Sequence, residues 1–356
     1  MRFATLTRFA GLALLLFAGA NALAATPPAA PGAAPPPAAA PAPPGAIQRV
    51  VVPARSLAGN LSGDPGEREV LVYTPASYAT AKDRRYPVIY FLHGYGVTAQ
   101  FYANTMNWPI AIDRGISEGK LQEMIVVMPD AYTPFGGSMY SNSVTTGNWE
   151  AFVARDLVRY IDSNFRTLAR RESRGLTGHS MGGYGTFRIG MKYPDTFVAL
   201  YPMSSCCLDP RGVTPGDAPL EKLTSLADVG SLQLFGRTTL AASAAWAGNA
   251  KRPPFYIDLP TANGEPRPEV IAKYKANAPT EMVAKHAAAL KRYSAITMDI
   301  GLQDPLLPGN VTMDGVLTRS GVKHKYETYE GDHTNRTALR FEKQVLPFFS
   351  EQLKGR

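Results

Sequence analysis

Two kinds of apolar pattern alternate along most of the chain. In the first, apolar residues follow one another directly, as in RYPVIYFL (85–92) and in 124–128. Such runs are typical of strands buried on both faces of a sheet. In the second, apolar residues recur every three or four positions, as in 149–164, which predicts helices. Strands are predicted at 49–54, 68–74, 85–92, 124–128, 174–177, 197–203, 294–300 and 325–329, and helices at 108–119, 149–164, 309–320 and 334–353. This alternation predicts an α/β fold with a mostly parallel central sheet and helices on both faces.

The stretch 205–292 interrupts this alternation. Its apolar spacing predicts short helices near 219–227, 238–248, 268–275 and 279–291, and one strand at 255–259. A stretch of this length is more than a connection between consecutive strands of one sheet requires. We therefore expect an inserted helical cap at about 205–292, not a separate domain.

The N-terminal 46 residues differ in composition from the rest. Arg2 and Arg8 precede an apolar run at 9–20 that is too short to span a bilayer comfortably, and small residues follow it at Ala22-Leu23-Ala24. This predicts a signal peptide, 1–24, with an uncleaved anchor as the alternative. Residues 25–46 are almost wholly Ala and Pro and predict an extended linker. The folded domain is then 47–356. We expect a secreted or periplasmic protein with no stable membrane span after cleavage.

Charge and cysteine content narrow the functional classes. The net charge is +8, and two of these charges, Arg2 and Arg8, leave with the signal peptide. The one local basic cluster (166, 170, 171 and 174) lacks the interleaved aromatic residues of a nucleic-acid site, so we expect no nucleic-acid partner. The two cysteines, Cys206 and Cys207, are adjacent, which excludes a disulfide framework and paired-cysteine zinc sites. They either close into a strained disulfide ring or stay free as packed thiols.

The pentapeptide Gly178-His179-Ser180-Met181-Gly182 has the form G-x-S-x-G. A short strand precedes it, and a helical pattern follows it as far as Pro194. Strand, sharp turn and helix are the context of a nucleophile elbow, in which a strained backbone projects the serine hydroxyl above the sheet. Ser180 is therefore the candidate nucleophile. A glycine-rich turn with an inert serine is the alternative.

A serine hydroxyl needs a base within hydrogen-bonding distance, and the chain has five histidines. His333 follows the last predicted strand, at the carboxyl edge of the sheet where Ser180 also emerges, and is the candidate base. The other four have other expected places: His179 points away from Ser180, His93 makes structural hydrogen bonds, His286 lies in a cap helix and His324 begins a strand.

An imidazole base needs a carboxylate that fixes its tautomer and stabilises its charged form. In proteins with this elbow the acid lies between the nucleophile and the base in the chain. Asp304 directly follows a predicted strand and is the candidate acid. Asp299 lies within that strand and is the alternative, although an interior aspartate is more often a buried structural carboxylate.

Acyl transfer also needs hydrogen-bond donors for the developing oxyanion. The backbone N–H of Met181, directly after the nucleophile, is one candidate. The backbone N–H of Tyr95, in the loop that follows the strand 85–92, is the other. A plain turn at 93–94 is the alternative to this second donor.

Together these residues resemble the "putative esterase" family of α/β hydrolases, which includes feruloyl and acetylxylan esterases, S-formylglutathione hydrolases and mycolyltransferases. The resemblance covers about 65–205 and 293–350. It rests on LHGYG (92–96), NWE (148–150), GHSMGG (178–183), YPDTF (193–197), DIGLQD (299–304) and YEGDH (329–333). It implies an α/β-hydrolase fold with nucleophile Ser180, acid Asp304, base His333 and oxyanion donors Tyr95 and Met181.

The chain departs from the family pattern in three places. The cap region has no match, the elbow strand is unusually polar, and Asn335 and Arg336 stand where a tryptophan often follows the histidine. These departures leave the substrate open. The resemblance implies a secreted serine carboxylic-ester hydrolase that acts through an acyl-enzyme on feruloyl or acetyl esters of polysaccharide, without metal or organic cofactor. An acyltransferase with the same triad is the alternative, and a non-catalytic binding protein on this scaffold is disfavoured by the complete triad.

Overall fold

One eight-stranded sheet organises the molecule, a computed structural model that describes residues 44–214 and 217–355. The expected signal peptide, 1–24, and most of the expected linker, 25–46, lie outside the described residues. The strands are β1 (Ala46–Pro53), β2 (Glu67–Thr74), β3 (Val88–Leu92), β4 (Ile125–Pro129), β5 (Arg174–His179), β6 (Ala199–Met203), β7 (Ala295–Gly301) and β8 (Lys325–Tyr329). Their order across the sheet is β1-β2-β4-β3-β5-β6-β7-β8. β2 runs antiparallel to β1 and β4, and the other neighbours run parallel.

Helices connect the parallel strands, because such strands need long crossovers. The longer helices of the described chain are α1 (Ala99–Met106), α2 (Trp108–Ser117), α3 (149–164), α4 (Met181–Lys192), α5 (Leu234–Trp246), α6 (Pro268–Asn277), α7 (Pro279–Leu290), α8 (Leu307–Arg319) and α9 (337–352). α3 and α9 each contain a π-helical stretch, at Phe152–Leu157 and Phe341–Val345. The predicted mostly parallel sheet with surrounding helices is confirmed.

The side chains of β3 show why the sheet is covered on both faces. Side chains alternate between the two faces of a strand. Val88 and Tyr90 belong to a core that also contains buried residues of α3 and α4. Ile89 and Phe91 belong to the opposite core, with buried residues of α1, α2 and α9. A continuous apolar run is therefore what this central strand requires.

The prediction of a strand at 255–259 is wrong. Ile257 makes only an isolated bridge, and Tyr256, with φ of 54°, donates its N–H to the Arg252 carbonyl at 2.7 Å in a turn. Strand-forming residues extend only where a neighbouring strand offers a ladder. β6 and β7 already pair with each other, so the large sheet offers no such place between them. A two-residue strand pair forms nearby, Thr261–Ala262 with Glu265–Pro266.

Two helical regions also differ from the prediction. The residues near 219–227, predicted as one helix, belong to two separate 3₁₀ segments, Ala218–Lys222 and Leu226–Ser231. The second segment begins after Ser225, whose side chain caps its N-terminus. The apolar pattern predicts no helix at α1, whose first turn is capped by the Thr98 hydroxyl. Short capped segments carry too few apolar repeats to be recognised by periodicity.

The segment between β6 and β7 packs on α4. The indole of Trp246 on α5 packs against Tyr184 of α4 in a tilted arrangement with ring centroids 5.5 Å apart, and the Tyr184 hydroxyl donates to the Asn277 carbonyl at 3.0 Å. Among the residues that the structure describes, no helix combines the length and the apolar character that a membrane crossing requires.

Candidate active site

Ser180 stands on the sharp turn between β5 and α4. Its backbone has φ of 58° and ψ of −114°, a region that residues with a side chain rarely occupy, and it is 9% exposed. A Cβ on Gly182 would overlap the carbonyl oxygen of Leu92, so the first turn of α4 lies directly against β3. Because Gly182 has no side chain, α4 can begin directly against β3. The chain must then turn sharply at Ser180, which leaves the serine side chain projecting above the end of the sheet.

Ser180, His333 and Asp304 form a continuous hydrogen-bonded chain. Ser180 Oγ lies 2.9 Å from His333 Nε2, and His333 Nδ1 lies 2.8 Å from Asp304 Oδ2. Asp304 is 3% exposed, and its Oδ1 accepts the Leu306 N–H at 2.9 Å. A carboxylate at Nδ1 leaves Nε2 free to accept the serine proton. The structure therefore brings together the three side chains that the sequence analysis singled out.

The loops that carry Asp304 and His333 are joined at the ends of β7 and β8. The Leu302 N–H donates to the Tyr329 carbonyl at 2.8 Å, and the Gln303 N–H donates to the Gly331 carbonyl at 3.0 Å. The Gln303 side chain in turn accepts the Gly331 N–H at 2.6 Å. The sheet pairing is thereby extended past the strand ends, which holds the carboxylate and the imidazole in register.

Asp299, the alternative acid, has other partners. It is fully buried within β7, where its Oδ2 accepts hydrogen bonds from Arg340 Nε at 2.7 Å and from the Tyr201 hydroxyl at 3.0 Å. Burial raises the pKa of Asp299 to about 6 although the Arg340 guanidinium opposes this rise. Its carboxylate thus ties the sheet to α9. Asp304 is the aspartate that contacts His333.

Two backbone N–H groups border Ser180. Met181 is the first residue of α4, so its N–H has no intrahelical carbonyl to bond. Tyr95 follows Gly94, on which a Cβ would lie 3.5 Å from the Ser180 Cβ. Within residues 44–214 and 217–355, neither N–H donates a hydrogen bond. Both N–H groups predicted as oxyanion donors therefore lie near the serine and, in the described structure, have no hydrogen-bond acceptor.

His93 holds the peptide that carries the Tyr95 N–H. Its Nε2 accepts the Ala131 N–H at 2.8 Å, so Nδ1 carries the proton and donates to the Gly94 carbonyl at 2.8 Å. Burial lowers the pKa of His93, which keeps the ring neutral. The Gly94 carbonyl and the Tyr95 N–H belong to one planar trans peptide, so fixing the carbonyl also fixes the direction of the N–H. The structural hydrogen bonds predicted for His93 are confirmed.

His179, predicted to point away from Ser180, contacts both Tyr102 and the backbone of His333. Its Nδ1 lies 2.7 Å from the Tyr102 hydroxyl, and its Nε2 lies 2.8 Å from the His333 carbonyl oxygen. Its ring packs on that of His333 with centroids 4.8 Å apart. Burial, followed by the neighbouring His333, lowers the pKa of His179 to about 3. Tyr102 lies on α1, which the apolar pattern did not predict, so the sequence carried no signal for this contact.

Glu150 of the NWE motif anchors the elbow helix. It is buried, and its carboxylate accepts hydrogen bonds from Arg188 Nε at 2.6 Å and Lys192 Nζ at 2.8 Å, both on α4. Burial alone would raise the pKa of Glu150, but the two cations hold it below its usual range. A buried carboxylate with two such partners fixes α4 against α3.

The adjacent cysteines lie beside the elbow. The structure has both Cys206 and Cys207 as free thiols, with sulfur atoms 2.8 Å apart. The Cys206 N–H donates to the Ser180 carbonyl at 3.1 Å. The hydrogen bond with Cys207, followed by burial, raises the pKa of the Cys206 thiol. A thiol of raised pKa is a poor nucleophile.

The remaining histidines have separate surroundings. His324 bonds Asp314 through Nε2 at 2.8 Å, and its Nδ1 donates to the Val322 carbonyl at 2.8 Å. His286 is part of α7. In the described part of the chain, no three His, Cys, Asp or Glu side chains are grouped so that they could hold a metal ion.

A comparison with protein families identifies the family of the chain. The family model described as "Putative esterase" matches residues 65–347, which is most of the chain. The chain belongs to this esterase family. Its solved structural neighbours include a ferulic acid esterase, with a TM-score of 0.64, 23% identity and coverage of 87% of this chain and 98% of the other. A fluorophosphonate-binding serine hydrolase of Staphylococcus aureus has a TM-score of 0.59, 17% identity and coverage of 88% and 100%. These likenesses show the α/β-hydrolase fold.

Curated relatives match this chain over only part of their own length. An esterase of Mycobacterium tuberculosis is 38% identical over 136 residues, which is 36% of this chain and 27% of the relative. An endo-1,4-beta-xylanase/feruloyl esterase of Xylanibacter ruminicola is 33% identical over 138 residues, 35% of this chain and 18% of the relative. The matched part thus spans about a quarter or less of the length of these relatives.

Proposed function

We propose that the protein is a serine carboxylic-ester hydrolase that works through an acyl-enzyme on Ser180. The observation that carries this proposal is the chain from Ser180 Oγ to His333 Nε2 at 2.9 Å and from His333 Nδ1 to Asp304 Oδ2 at 2.8 Å. A serine at a strained elbow that faces an imidazole, itself bonded to a buried carboxylate, is the arrangement that nucleophilic acyl transfer requires.

Each group has one task in the proposed reaction. Ser180 Oγ attacks the ester carbonyl while His333 Nε2 accepts the serine proton, and Asp304 stabilises the imidazolium that forms. The N–H groups of Tyr95 and Met181 donate to the oxyanion of the tetrahedral intermediate. His333 then returns the proton to the leaving alcohol, which departs as the acyl-enzyme forms. A water molecule, deprotonated by His333, releases the acid in the second half of the cycle.

The proposed substrates are feruloyl or acetyl esters of polysaccharide. Supporting this class, a curated relative is described as an endo-1,4-beta-xylanase/feruloyl esterase and a structural neighbour as a ferulic acid esterase. We further propose that residues 1–24 are a signal peptide that directs secretion or export to the periplasm, that 25–46 are a linker, and that about 205–292 cover the site as a cap. The packing of Trp246 on Tyr184 beside the elbow supports the last point.

A panel of aryl and acyl esters tests this function. Purified protein is assayed on acetyl, longer acyl and feruloyl esters, and the Ser180→Ala variant is assayed beside it. We expect Ser180→Ala to lower kcat by about 10⁵- to 10⁶-fold because no nucleophile remains, and feruloyl or acetyl esters to give the highest kcat/KM. Ser205→Ala is the matched control, since this buried hydroxyl near Gly183 has no hydrogen-bond partner in the described structure. Wild-type activity that survives in Ser180→Ala contradicts the proposal.

A further inference from the structure

We propose that His179, oriented by Tyr102, is a positioning residue that holds the backbone of His333 and so keeps its imidazole directed at Ser180. The proposal rests on the proposed ester hydrolysis and adds a residue that touches neither substrate nor the reacting atoms. It is carried by two hydrogen bonds, one ring contact and the place of His179 in the chain.

The two hydrogen bonds determine the tautomer of His179. The His333 carbonyl oxygen, 2.8 Å from His179 Nε2, can only accept, so Nε2 carries the proton. Nδ1 of the neutral ring must then accept, and the Tyr102 hydroxyl at 2.7 Å is its donor. Tyr102 therefore selects the tautomer that can hold His333. Without its hydroxyl, the proton could reside on Nδ1, and the contact with the carbonyl would be lost.

The burial and neutral charge of the His179 ring suit it to hold the His333 backbone. It is 2% exposed, and its ring centroid lies 4.8 Å from that of His333. Because burial and His333 lower the pKa of His179 to about 3, the ring stays neutral at working pH. The imidazolium that His333 forms during acyl transfer therefore has no positive neighbour in this ring.

The location of His179 makes the contact useful. His179 precedes the nucleophile, so its bond to the His333 carbonyl links the base loop directly to the elbow. The backbone of this loop also bonds the Asp304 loop, where Gly331 pairs with Gln303, and the Asp332 carboxylate accepts the N–H groups of Thr334 and Asn335 at 2.8 Å. A displacement of about 1 Å between reacting groups can reduce a rate by about 10²-fold. The link therefore keeps Ser180 Oγ within reach of His333 Nε2.

Two substitutions at one position separate hydrogen bonding from packing. The amide of His179→Gln can donate to the His333 carbonyl and accept from Tyr102, whereas the side chain of His179→Leu fills similar space without either bond. We expect His179→Leu to lower kcat by about 10- to 100-fold with KM changed less than about twofold, and His179→Gln to stay within about fivefold of wild type. Tyr102→Phe should lower kcat by about 3- to 10-fold, in proportion to one lost hydrogen bond.

Steady-state kinetics on one aryl ester, with the thermal midpoint of each variant measured by circular dichroism, decide the matter. His286→Leu, on α7, is the matched histidine control and should keep the wild-type kcat. Equal kcat in wild type and His179→Leu overturns the inference, as does equal loss in the Leu and Gln variants or a loss that simply follows the thermal midpoint. If His179→Leu does not fold, Tyr102→Phe decides, and an unchanged kcat there overturns the inference. Inactive wild type would instead refute the proposed function.

Discussion

Asp299 and Asp304 lie five residues apart at one end of the sheet, and both are almost completely buried. Asp299, inside β7, faces the Arg340 guanidinium, which keeps its charge at every accessible pH. Asp304, just past the end of β7, faces an imidazole, which can gain and lose a proton. Burial and residue type are the same, so the partner decides the role. The first carboxylate is suited to holding structure together and the second to supporting proton transfer.

The largest expected difference between the two is kinetic. Asp304→Asn should lower kcat by about 10³- to 10⁴-fold, because an amide neither stabilises the His333 imidazolium nor enforces its tautomer. Asp299→Asn should leave kcat within about fivefold, since its carboxylate bonds Arg340 and Tyr201. Steady-state kinetics on an aryl ester compare the variants, with circular dichroism to verify folding. A larger kinetic loss in Asp299→Asn would reverse the assignment of the acid.

The next effect is on stability. Asp299→Ala leaves a cavity, removes the acceptor of the Tyr201 hydroxyl and takes one carboxylate partner from Arg340, which also pairs with Glu327. Loss of one partner of a buried ion pair costs about 3 to 5 kcal/mol, so we expect the free energy of unfolding to fall by about 3 kcal/mol. Urea unfolding at pH 7 measures it. A change below about 1 kcal/mol would show that this carboxylate is dispensable for the fold.

A smaller effect distinguishes the buried carboxylate by pH. Burial raises the pKa of Asp299 from 3.8 to about 6, so between these values the folded protein keeps a proton that the unfolded chain has lost. The part of the stability that depends on this bound proton is therefore fully present below pH 4 and is lost as the pH rises through 6, while the packing and hydrogen bonds of the side chain remain. Relative to Asp299→Asn, the wild type should lose about 2 kcal/mol of unfolding free energy between pH 4 and pH 7. Parallel curves for the two proteins would contradict this account.

The features of the fold and site that depend on local sequence could be predicted. Apolar runs identified the buried strands. The glycines beside Ser180 indicated the elbow, and the structure explains why a glycine is needed: there is no room for a Cβ at Gly182. A position just after the last strand selected His333, and chain order together with a position just past a strand end selected Asp304. These features follow from local geometry, which a sequence pattern records.

What could not be predicted depends on contacts between distant parts of the chain. Tyr102 and His179 are 77 residues apart, and neither position marks the other. The residues at 255–259 have strand-forming side chains, but only the completed sheet shows that no neighbouring strand is free to pair with them. Likewise, nothing in NWE reveals that Glu150 holds Arg188 and Lys192 of α4. Pairings of this kind are set by tertiary packing.

Trapping the nucleophile tests the central claim most directly. A fluorophosphonate is attacked by an activated serine oxygen, which forms an O–P bond and releases fluoride, and mass spectrometry of the digested protein locates the adduct. We predict one adduct, on Ser180, that is absent from Ser180→Ala and forms far more slowly in His333→Ala than in wild type. An adduct on another residue, or an unlabelled Ser180 in protein that still hydrolyses esters, would contradict the account.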